Sequence, residues 1–414
     1  MKILIATSQR SIVGGVETYL QSLIPALLER GHQIGMLYDY AGDATGATVD
    51  PPGAELPIWL SQELREQPAR WQQLAEWRPD VVYSQGLDSS AVESRLQEDF
   101  STVRFVHGYW GTCTTGRKCH AFPSIQSCQR TFGPMCLLMH YPRRCGGLNP
   151  VLAWKMFQTE RVHNSLLAGY RAVLVASTHM YAEFSRNGVR PETLHVMRLP
   201  LPESEGVPAP RQKNPGGRLL FVGRLTEVKG VDYLIRAMAS AQAKLGRKLA
   251  LTVAGDGSQQ GRLQELARRE NASVEFCGWV DKSQKMGLMR EADLLVVPSL
   301  WPEPFGLVGI EAGSVGLPAA GFASGGITDW LVSGQTGELA PTDPPSEQGL
   351  ADAIVRALSD PDHYQRLSRG ALELSRRFTL AGHVADLEVV LNANAPGYNA
   401  DSGALGMSLH HAHE

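Results

Sequence analysis

The chain alternates short apolar runs with longer stretches in which apolar residues recur every three or four positions. The first run, at 2–6, precedes a stretch whose leucines at 20, 23, 27 and 28 share one helical face. Similar runs recur near 80–84, 103–107 and 172–177, the first and last of them followed by a predicted helix. This alternation predicts a parallel sheet with helices on both faces.

A segment without apolar periodicity divides the chain. Residues 203–217 are rich in proline and glycine, which is typical of a linker. Beyond it the alternation restarts, with buried-strand candidates at 218–222, 248–255, 273–278 and 293–299 and predicted helices at 230–245, 259–269 and 281–291. We therefore predict an α/β fold of two Rossmann-like, doubly wound domains that face a central cleft, where ligands bind at the carboxyl ends of the strands.

The predicted domains cover residues 1–202 and 218–377. The first carries a cysteine-rich insertion at 108–148. A last helix at 378–392 is expected to cross back toward the first domain, and the tail at 393–414 is expected to be disordered because it is rich in small and polar residues.

Composition narrows the class of protein. Apolar residues make up 43% of the 414 residues and charged residues 20%, which suits a soluble globular protein. The net charge of -3 gives no global attraction to nucleic acid, so we predict no nucleic-acid partner. The N-terminus lacks the apolar core of a signal peptide, and no run reaches the roughly 18 apolar residues of a membrane span. We expect a cytoplasmic protein that can touch the membrane peripherally from that side.

The segment from Glu303 to Glu311 carries the most informative chemistry. Its glycines and proline free a loop before a helix predicted to start near Gly306, so the backbone amides of Phe305, Gly306 and Leu307 are suited to hold a diphosphate or sugar hydroxyls. Two carboxylates eight positions apart can bind the paired hydroxyls of a ribose and a hexose. The alternative is a solvated glutamate and a first-turn glutamate that complements the helix dipole.

Other loops carry weaker signals. Arg224 and Lys229 follow a buried strand and can neutralise a pyrophosphate, although two surface cations are commonplace. Gly14 and Gly15 precede a helix and allow close approach to a phosphate, or form a plain turn. The string that contains Gly255 nearly matches a dinucleotide fingerprint, with its third glycine one position late.

These motifs occur together in a known order: GGVE, GRLTEVKG, AGDG, FCGWV, EPFGLVGIEA, GGITDWL and SGQTGELAP. In this order and spacing they resemble the retaining glycosyltransferases of the large family four, which have the GT-B fold. The resemblance covers nearly the whole second half of the chain, and in the first half only the opening loop and His107. It implies transfer of a sugar from a UDP- or GDP-linked donor to a glycan, a glycolipid precursor or another saccharide or lipid-linked acceptor, with retention of configuration.

The resemblance also implies roles for individual residues. Glu311 would bind the ribose hydroxyls, and Glu303, with the amides that follow it, would hold the donor sugar. Arg224 and Lys229 would bind the diphosphate. His107 would face the sugar in the catalytic centre, although a lone histidine at a strand end is otherwise as readily structural. The remaining donor contacts would come from Gly14, Gly15, Gly255, Trp279 and Val280.

Members of this family often have glutamate after the GG turn, where this chain has Asp329. Such enzymes need no carboxylate nucleophile, because the departing phosphate can take the acceptor proton on the same face. Catalysis would then depend on positioning and on charge stabilisation by Arg224 and Lys229. We therefore predict that no metal or other cofactor is needed for catalysis. The only DxD-like string, Asp360 to Asp362, lies far from the other motifs and is interpreted as a turn.

The insertion concentrates thiols, cations and aromatic side chains. Its five cysteines, with His120 and His140, are sufficient for a structural zinc site, but gaps of five to eight residues do not match the tight pairs of usual zinc sites. Disulfides and free thiols therefore stay open. A basic, aromatic surface can grip an anionic acceptor or a lipid headgroup, and a solvated loop is the alternative. The cysteines are Cys113, Cys119, Cys128, Cys136 and Cys145.

Two rival functions remain at this level. One is another nucleotide-sugar enzyme with the same fold, such as an epimerase or a phosphorylase, which a requirement for an acceptor would separate from a transferase. The other is a non-catalytic nucleotide-sugar-binding protein, which binding without turnover would identify. These motifs do not reveal the donor base, the donor sugar or the acceptor, because backbone contacts are largely independent of residue type.

Overall fold

The computed structural model describes residues 1–42, 47–201 and 215–396. Most of the predicted linker at 203–217 and of the predicted disordered tail at 393–414 lies outside the described residues. Within the described ranges, no helix is long and apolar enough to span a bilayer.

The first half of the chain forms a parallel sheet of seven strands in the order β3-β2-β1-β4-β5-β8-β9, and a separate two-stranded antiparallel hairpin, β6-β7. Apolar runs form the strands because both faces of this sheet are covered, which requires continuous rather than alternating hydrophobicity. The strands are β1 Lys2–Gln9, β2 Gln33–Tyr40, β3 Ile58–Leu60, β4 Val81–Gly86, β5 Thr102–Val106, β6 Cys119–His120, β7 Gln126–Ser127, β8 Ala172–Val175 and β9 Leu194–Val196.

Seven α-helices accompany this sheet. They are α1 Gly15–Glu29, α2 Ser61–Glu66, α3 Pro68–Trp77, α4 Ser90–Asp99, α5 Pro134–His140, α6 Pro150–Leu166 and α7 Thr178–Arg186. A short 3-10 helix covers Pro191–Thr193. The helices bury their apolar stripes against the sheet, as Leu20, Leu23 and Leu27 of α1 do with no exposed surface.

The second half forms a parallel sheet of six strands in the order β12-β11-β10-β13-β14-β15. The strands are β10 Arg218–Val222, β11 Ala250–Ala254, β12 Val274–Gly278, β13 Leu294–Val297, β14 Ala319–Phe322 and β15 Gly337–Ala340. The helices are α8 Val231–Leu245, α9 Gln260–Arg269, α10 Lys282–Glu291, α11 Leu307–Gly313, α12 Glu347–Ser359, α13 Pro361–Ser375 and α14 Leu380–Asn394, with 3-10 turns at Glu227–Lys229 and Gly326–Asp329.

Two sheets of this kind, each wound in both directions from a first central strand, give the α/β two-domain fold predicted from the sequence. The strand order reverses at β1/β4 in the first sheet and at β10/β13 in the second, and ligands bind outside such switch points. The chemistry predicted from the sequence lies mainly in loops at these edges.

The last helix, α14, packs on the first domain although it follows the second in the chain. Its His383 accepts a hydrogen bond from the Tyr19 hydroxyl of α1 over 2.8 Å. Its Glu388 is paired with Arg30 and His32 at 2.6 and 2.7 Å. The helix therefore links the two halves, and its position beside β4 and β5 places it behind the first domain's part of the cleft.

Candidate functional site

The loop after β10 is held against the loop after β13, its neighbour in the sheet. Gly230 has φ +65 and approaches Pro298 so closely that an added Cβ would lie 2.1 Å from the carbonyl oxygen. The Leu300 amide also donates to the Val228 carbonyl over 2.8 Å. Because only glycine tolerates both that backbone angle and that approach, the sequence fixes Lys229 beside the segment that leads to Glu303.

Glu303 is buried and accepts two short hydrogen bonds on one carboxylate oxygen. Lys229 donates its Nζ proton over 2.6 Å and the Ser299 hydroxyl donates over 2.5 Å. The Lys229 ammonium also lies 5.4 Å from the centre of the Trp301 ring. A buried carboxylate that is paired with a cation and a hydroxyl is held in one orientation, as a group that must orient sugar hydroxyls requires.

Glu311 lies on α11, which begins at Leu307, immediately after the predicted start. Its carboxylate accepts from Lys285 of α10 over 2.7 Å. Gly306 precedes the helix with φ +86, and Phe305 is buried, with its carbonyl accepting from the Trp330 indole over 2.7 Å. These contacts fix the loop between the two glutamates, so their separation is set by a rigid turn rather than by a free loop.

The end of β11 meets the loops that flank it. Gly255 has φ +143, its amide donates to Gly278 over 2.7 Å, and an added Cβ would lie 1.9 Å from the Gly223 carbonyl oxygen. Val280 is half-buried, whereas Trp279 is 77% exposed. Gly255 is thus a backbone packing position at the same sheet edge as Lys229, and Trp279 offers a free aromatic face.

His107 follows β5 and is held by three neighbours. Its Nε2 lies 2.7 Å from the Gln85 amide oxygen, which can only accept, so Nε2 carries the proton. The ring stacks on Phe105 with centroids 4.6 Å apart and lies 5.7 Å from the Tyr19 ring. The side chain is therefore fixed in both tautomer and orientation.

Burial lowers the pKa of His107 to about 3, helped by the nearby charge of Arg104. Burial likewise lowers the pKa of His383 to about 4. Both imidazoles are therefore neutral near pH 7. With its Nε2 proton donated to Gln85, His107 can accept a hydrogen bond from a sugar hydroxyl at Nδ1, but it does not supply a positive charge.

A cavity of about 410 Å³ opens beside His107 in the first domain. The beginning of α1 and the ends of β1, β4 and β5 contribute to its wall. Trp110 is 49% exposed and packs one face on Gly116, where an added Cβ would lie 3.2 Å from the ring. Aromatic area with a few polar groups is the usual lining of a small-molecule site, and here those groups include Glu17, Gln85, Asp88 and Arg104.

Three predicted donor-contact residues take no part in the side-chain hydrogen bonds described above. Gly14 caps α1 and Gly15 begins it, both exposed at the same end of the helix as Glu17, which lines the cavity. Arg224 is exposed, and among the described residues its side chain has no hydrogen-bond or ion-pair partner. The structure thus groups Lys229 with Glu303 and leaves Arg224 available at the cleft surface.

Contacts between the domains surround this site. The Tyr109 hydroxyl, two residues beyond His107, lies 3.5 Å from the Glu303 carbonyl oxygen, and its ring meets Trp301 edge-on. Asp329 accepts from the amide and the hydroxyl of Thr178 over 2.9 and 2.5 Å, at the start of α7. Tyr109 and Thr178 of the first domain therefore contact the second domain at Glu303 and at Asp329, and Asp329 acts as an interdomain contact.

The thiols of the cysteine-rich insertion are partly or fully buried. Burial raises the pKa of Cys119 to about 12 and that of Cys145 to about 11, so both thiols are protonated. All five thiols are free, and no three His, Cys, Asp or Glu side chains in the described ranges are grouped to hold a metal ion. A structural zinc in the insertion stays a prediction.

Several residues at the site were not identified in the sequence. Ser299 and Tyr109 lie within a few positions of Glu303 and His107, and Gln85 lies at the end of a predicted strand, so proximity to strand ends was an available signal. Lys285 lies in a helix of ordinary polar composition and has no local sequence signal. Its contact with Glu311 depends on the position of α10 relative to α11.

Comparison with known proteins assigns the two halves separately. Residues 14–200 match the family described as "Glycosyl transferase 4-like domain", and residues 208–373 match "Glycosyl transferases group 1". The chain is 37% identical over 166 residues to a glycogen synthase of Mycobacterium tuberculosis. It is 35% identical over 170 residues to a D-inositol 3-phosphate glycosyltransferase of Catenulispora acidiphila. Each match covers 39% of this chain and only 39% of the relative's own length.

Solved structures resemble almost the entire chain. HepE from Anabaena, solved with UDP and glucose, superposes with a TM-score of 0.66 at 19% identity over 95% of this chain and 100% of its own. A sucrose-phosphate synthase from Thermosynechococcus elongatus superposes with a TM-score of 0.68 at 20% identity over 95% and 98%. At this identity the likeness shows the fold alone, which is GT-B. With both halves matched by glycosyltransferase families, the chain belongs to the group 1 glycosyltransferases of the family-four type.

Proposed function

We propose that this protein transfers a sugar from a nucleotide-sugar donor to a hydroxyl of a saccharide or lipid-linked acceptor. The observation that carries the proposal is the buried pair of Lys229 and Glu303, at the point where Tyr109 of the first domain, two residues beyond His107, contacts the Glu303 carbonyl. The carboxylate is suited to sugar hydroxyls and the cation to a phosphate. The second domain thus holds the donor and the first holds the acceptor.

We assign the donor contacts by the parts of a nucleotide sugar. Glu311, held by Lys285, binds the ribose hydroxyls. Glu303 holds the transferred sugar, and Lys229 with Arg224 faces the diphosphate. HepE, with a similar fold, was solved with UDP and glucose, which makes UDP-glucose the first donor to test.

The proposed reaction retains the anomeric configuration. The bond between the anomeric carbon and the phosphate oxygen breaks, and a new bond forms to the acceptor oxygen on the same face. The acceptor proton passes to the departing phosphate, so no protein carboxylate has to act as nucleophile. The positive charges of Lys229 and Arg224 stabilise the departing diphosphate. Neutral His107 orients the sugar by hydrogen bonding.

The acceptor is proposed to occupy the cavity beside His107. Trp110 offers an apolar platform for one face of a sugar ring, and Glu17 and Asp88 offer carboxylates for hydroxyl groups. Arg104 is already engaged by Ser84 over 3.0 Å and lies 3.8 Å from Glu93, so its charge is partly compensated. The lining therefore suits a polyhydroxylated acceptor better than a strongly anionic one.

The test is a product assay with a panel of UDP- and GDP-sugars and saccharide acceptors. We expect acceptor-dependent release of the nucleoside diphosphate, with a product whose anomeric configuration by NMR matches that of the donor. Donor rearrangement without an acceptor would favour an epimerase, and tight donor binding without turnover would favour a binding protein. An inverted product would exclude the retaining mechanism while leaving transfer intact.

A further inference from the structure

The insertion and the helix after it present an unusual surface. Ten of the fourteen large apolar side chains exposed among the described residues lie between 110 and 162. We call the exposed part of residues 108–162 the insertion face. Its apolar members are Trp110, Phe122, Met135, Leu138, Tyr141, Leu148, Val151, Leu152, Trp154 and Val162. Apolar surface of this density on a soluble chain marks a site of interaction.

The charge of this segment has one sign. From Gly108 to Thr159 the sequence contains no aspartate or glutamate, in a protein whose total charge is -3. The first carboxylate after this stretch, Glu160, is buried and accepts from the Gly111 amide over 2.5 Å. The cations in the stretch are Arg117, Lys118, Arg130, Arg143, Arg144 and Lys155, of which only Lys118 is buried.

Several polar groups of this segment are bonded to the rest of the first domain. Lys118 is 1% exposed and forms a salt bridge of 2.9 Å with Glu183 of α7. The Phe132 amide donates to Asn187 over 2.7 Å, and Asn164 donates to the Gly111 carbonyl over 2.8 Å. The segment is therefore anchored on α6 and α7, and its outward apolar side chains are a fixed feature of the surface.

The apolar and cationic groups of the insertion face are interleaved. The Arg144 guanidinium lies 5.6 Å from the centre of the Phe122 ring. Trp154 stacks on Phe157, with centroids 6.2 Å apart, and Phe157 meets Phe132 at 5.1 Å. Helices α5 and α6 pack together, so Leu138 and Trp154 belong to neighbouring elements of one surface.

We propose that the insertion face docks on a lipid bilayer with an anionic surface. Aromatic side chains favour the interface between hydrocarbon and water, and each lysine or arginine near anionic headgroups adds attraction. A second copy of the chain would bring cation against cation, so the charge pattern disfavours self-association through this face. Because the segment also supplies Trp110 to the cavity beside His107, docking places that cavity near the membrane, a consequence that rests on the proposed function.

The test is flotation of the full-length protein with vesicles of phosphatidylglycerol and phosphatidylcholine in equal parts, compared with phosphatidylcholine alone. We expect binding to the anionic vesicles that weakens with added salt. Replacement of Arg117, Arg130 and Lys155 by glutamate is expected to weaken binding by about a hundredfold, since each cation contributes about fivefold. The same change at Arg262, Arg268 and Arg269 of α9 is the matched control and should bind like the wild type.

A second variant tests the apolar contribution. Leu138 and Leu148 are 63% and 78% exposed, so Leu138→Ser with Leu148→Ser removes apolar area with little effect on folding. We expect weaker vesicle binding, with Val389→Ser on α14 as the control. Absent binding to anionic vesicles, or equal binding by wild type and variants, would overturn the proposal. The proposal would also be overturned if the wild type formed a concentration-dependent dimer that the serine variant does not form.

Vesicle binding needs no donor and no turnover, and so it is separable from the proposed function. Each variant is also assayed for transfer to a water-soluble acceptor and for folding by circular dichroism. Lost vesicle binding with retained transfer supports the docking surface. Retained binding with no transfer by the wild type under any donor would leave the docking surface standing and contradict the proposed function instead.

Discussion

The Nζ atom of Lys229 lies 2.6 Å from the carboxylate of Glu303, although 74 residues separate them. Lys229 is proposed to bind the diphosphate and Glu303 to bind the transferred sugar. The salt bridge between them would therefore lie beside the bond between sugar and phosphate that breaks in the reaction. A donor bound in the proposed way would share Lys229 with Glu303. Removal of either residue alters the position of the other as well as its own contact.

Glu303→Ala is predicted to lower kcat by about ten- to a hundredfold, with a smaller effect on donor KM. The transferred sugar flattens and gains charge in the transition state, so a contact to it counts most there. A charged hydrogen bond contributes about 1.5–3 kcal/mol, which corresponds to that factor. Steady-state kinetics with the donor varied provides the measurement. Near-normal kinetics with a lowered melting temperature would show that the Lys229–Glu303 pair is only structural.

Glu311→Ala is predicted to act differently, by raising donor KM about tenfold with kcat nearly unchanged. The ribose does not change during transfer, so its contact stabilises the bound donor and the transition state equally. Lys285→Met should raise KM in the same direction but less, because Lys285 acts through the position of Glu311. Glu265→Ala, an exposed glutamate on α9, is the control. A fall in kcat without a change in KM would contradict this assignment.

The sequence predicted the scaffold well because strand and helix periodicity depend on local pattern. The switch-point strands β1 and β10 coincide with apolar runs in the sequence. The C-terminal helix predicted at 378–392 corresponds to α14, whose bounds differ by two residues at each end. Glu303, Glu311 and Lys229 were chosen as candidates because they lie in or just beyond glycine-containing loops that follow strands, and their roles stay predictions. The motifs identified the family as an ordered set, whereas each motif alone is weak evidence for it.

The sequence did not predict which side chains meet across the fold. Lys285 holds Glu311 from a different helix, and Tyr109 reaches the Glu303 carbonyl from the other domain. Such contacts depend on the angles at which helices and domains pack, which no local pattern encodes. The same holds for His383, whose distance from Tyr19 is 364 residues along the chain and 2.8 Å in space.

Sugar transfer is predicted to survive brief treatment with EDTA. The positive charge that a divalent ion would supply to the departing diphosphate can come from Lys229 and Arg224. The expected result is an unchanged initial rate after chelation and gel filtration. A rapid loss of activity that magnesium or manganese restores would contradict the prediction. A slow loss that parallels unfolding would instead point to a structural ion in the cysteine-rich insertion.

Trp110→Ala is predicted to raise acceptor KM by about tenfold or more while donor KM stays within about twofold. The indole provides the largest apolar face of the cavity beside His107, and loss of such a contact costs on the order of 1–3 kcal/mol. Donor KM serves as the internal control, because Trp110 lies in the first domain. Trp110→Phe should restore part of the acceptor affinity. Equal effects on both substrates would indicate a general distortion of the cleft.

The buried histidines predict how stability depends on pH. His383 is 5% exposed; its Nδ1 donates to the Arg198 carbonyl over 2.9 Å, so its Nε2 accepts from Tyr19. Burial lowers its pKa from 6.5 to about 4. Between those values the unfolded chain binds a proton that the folded chain does not. The free energy of unfolding therefore rises with pH across this window, and the contribution is lost as pH falls from about 6.5 toward about 4, by up to about 1.4 kcal/mol per pH unit.

His383→Gln should reduce this slope, since the amide can bond to both Arg198 and Tyr19 but does not titrate. The variant is expected to melt below the wild type near neutral pH, and the difference should narrow as the pH falls below about 6.5. Melting temperatures of both proteins across this range, measured by circular dichroism, provide the comparison. The remaining slope of the variant includes His107, whose pKa burial lowers further, to about 3, and His120 and His179, whose pKa values burial also lowers. A difference that stays constant with pH would mean that His383 is already protonated in the folded protein, and the tautomer assigned from Arg198 would then be wrong.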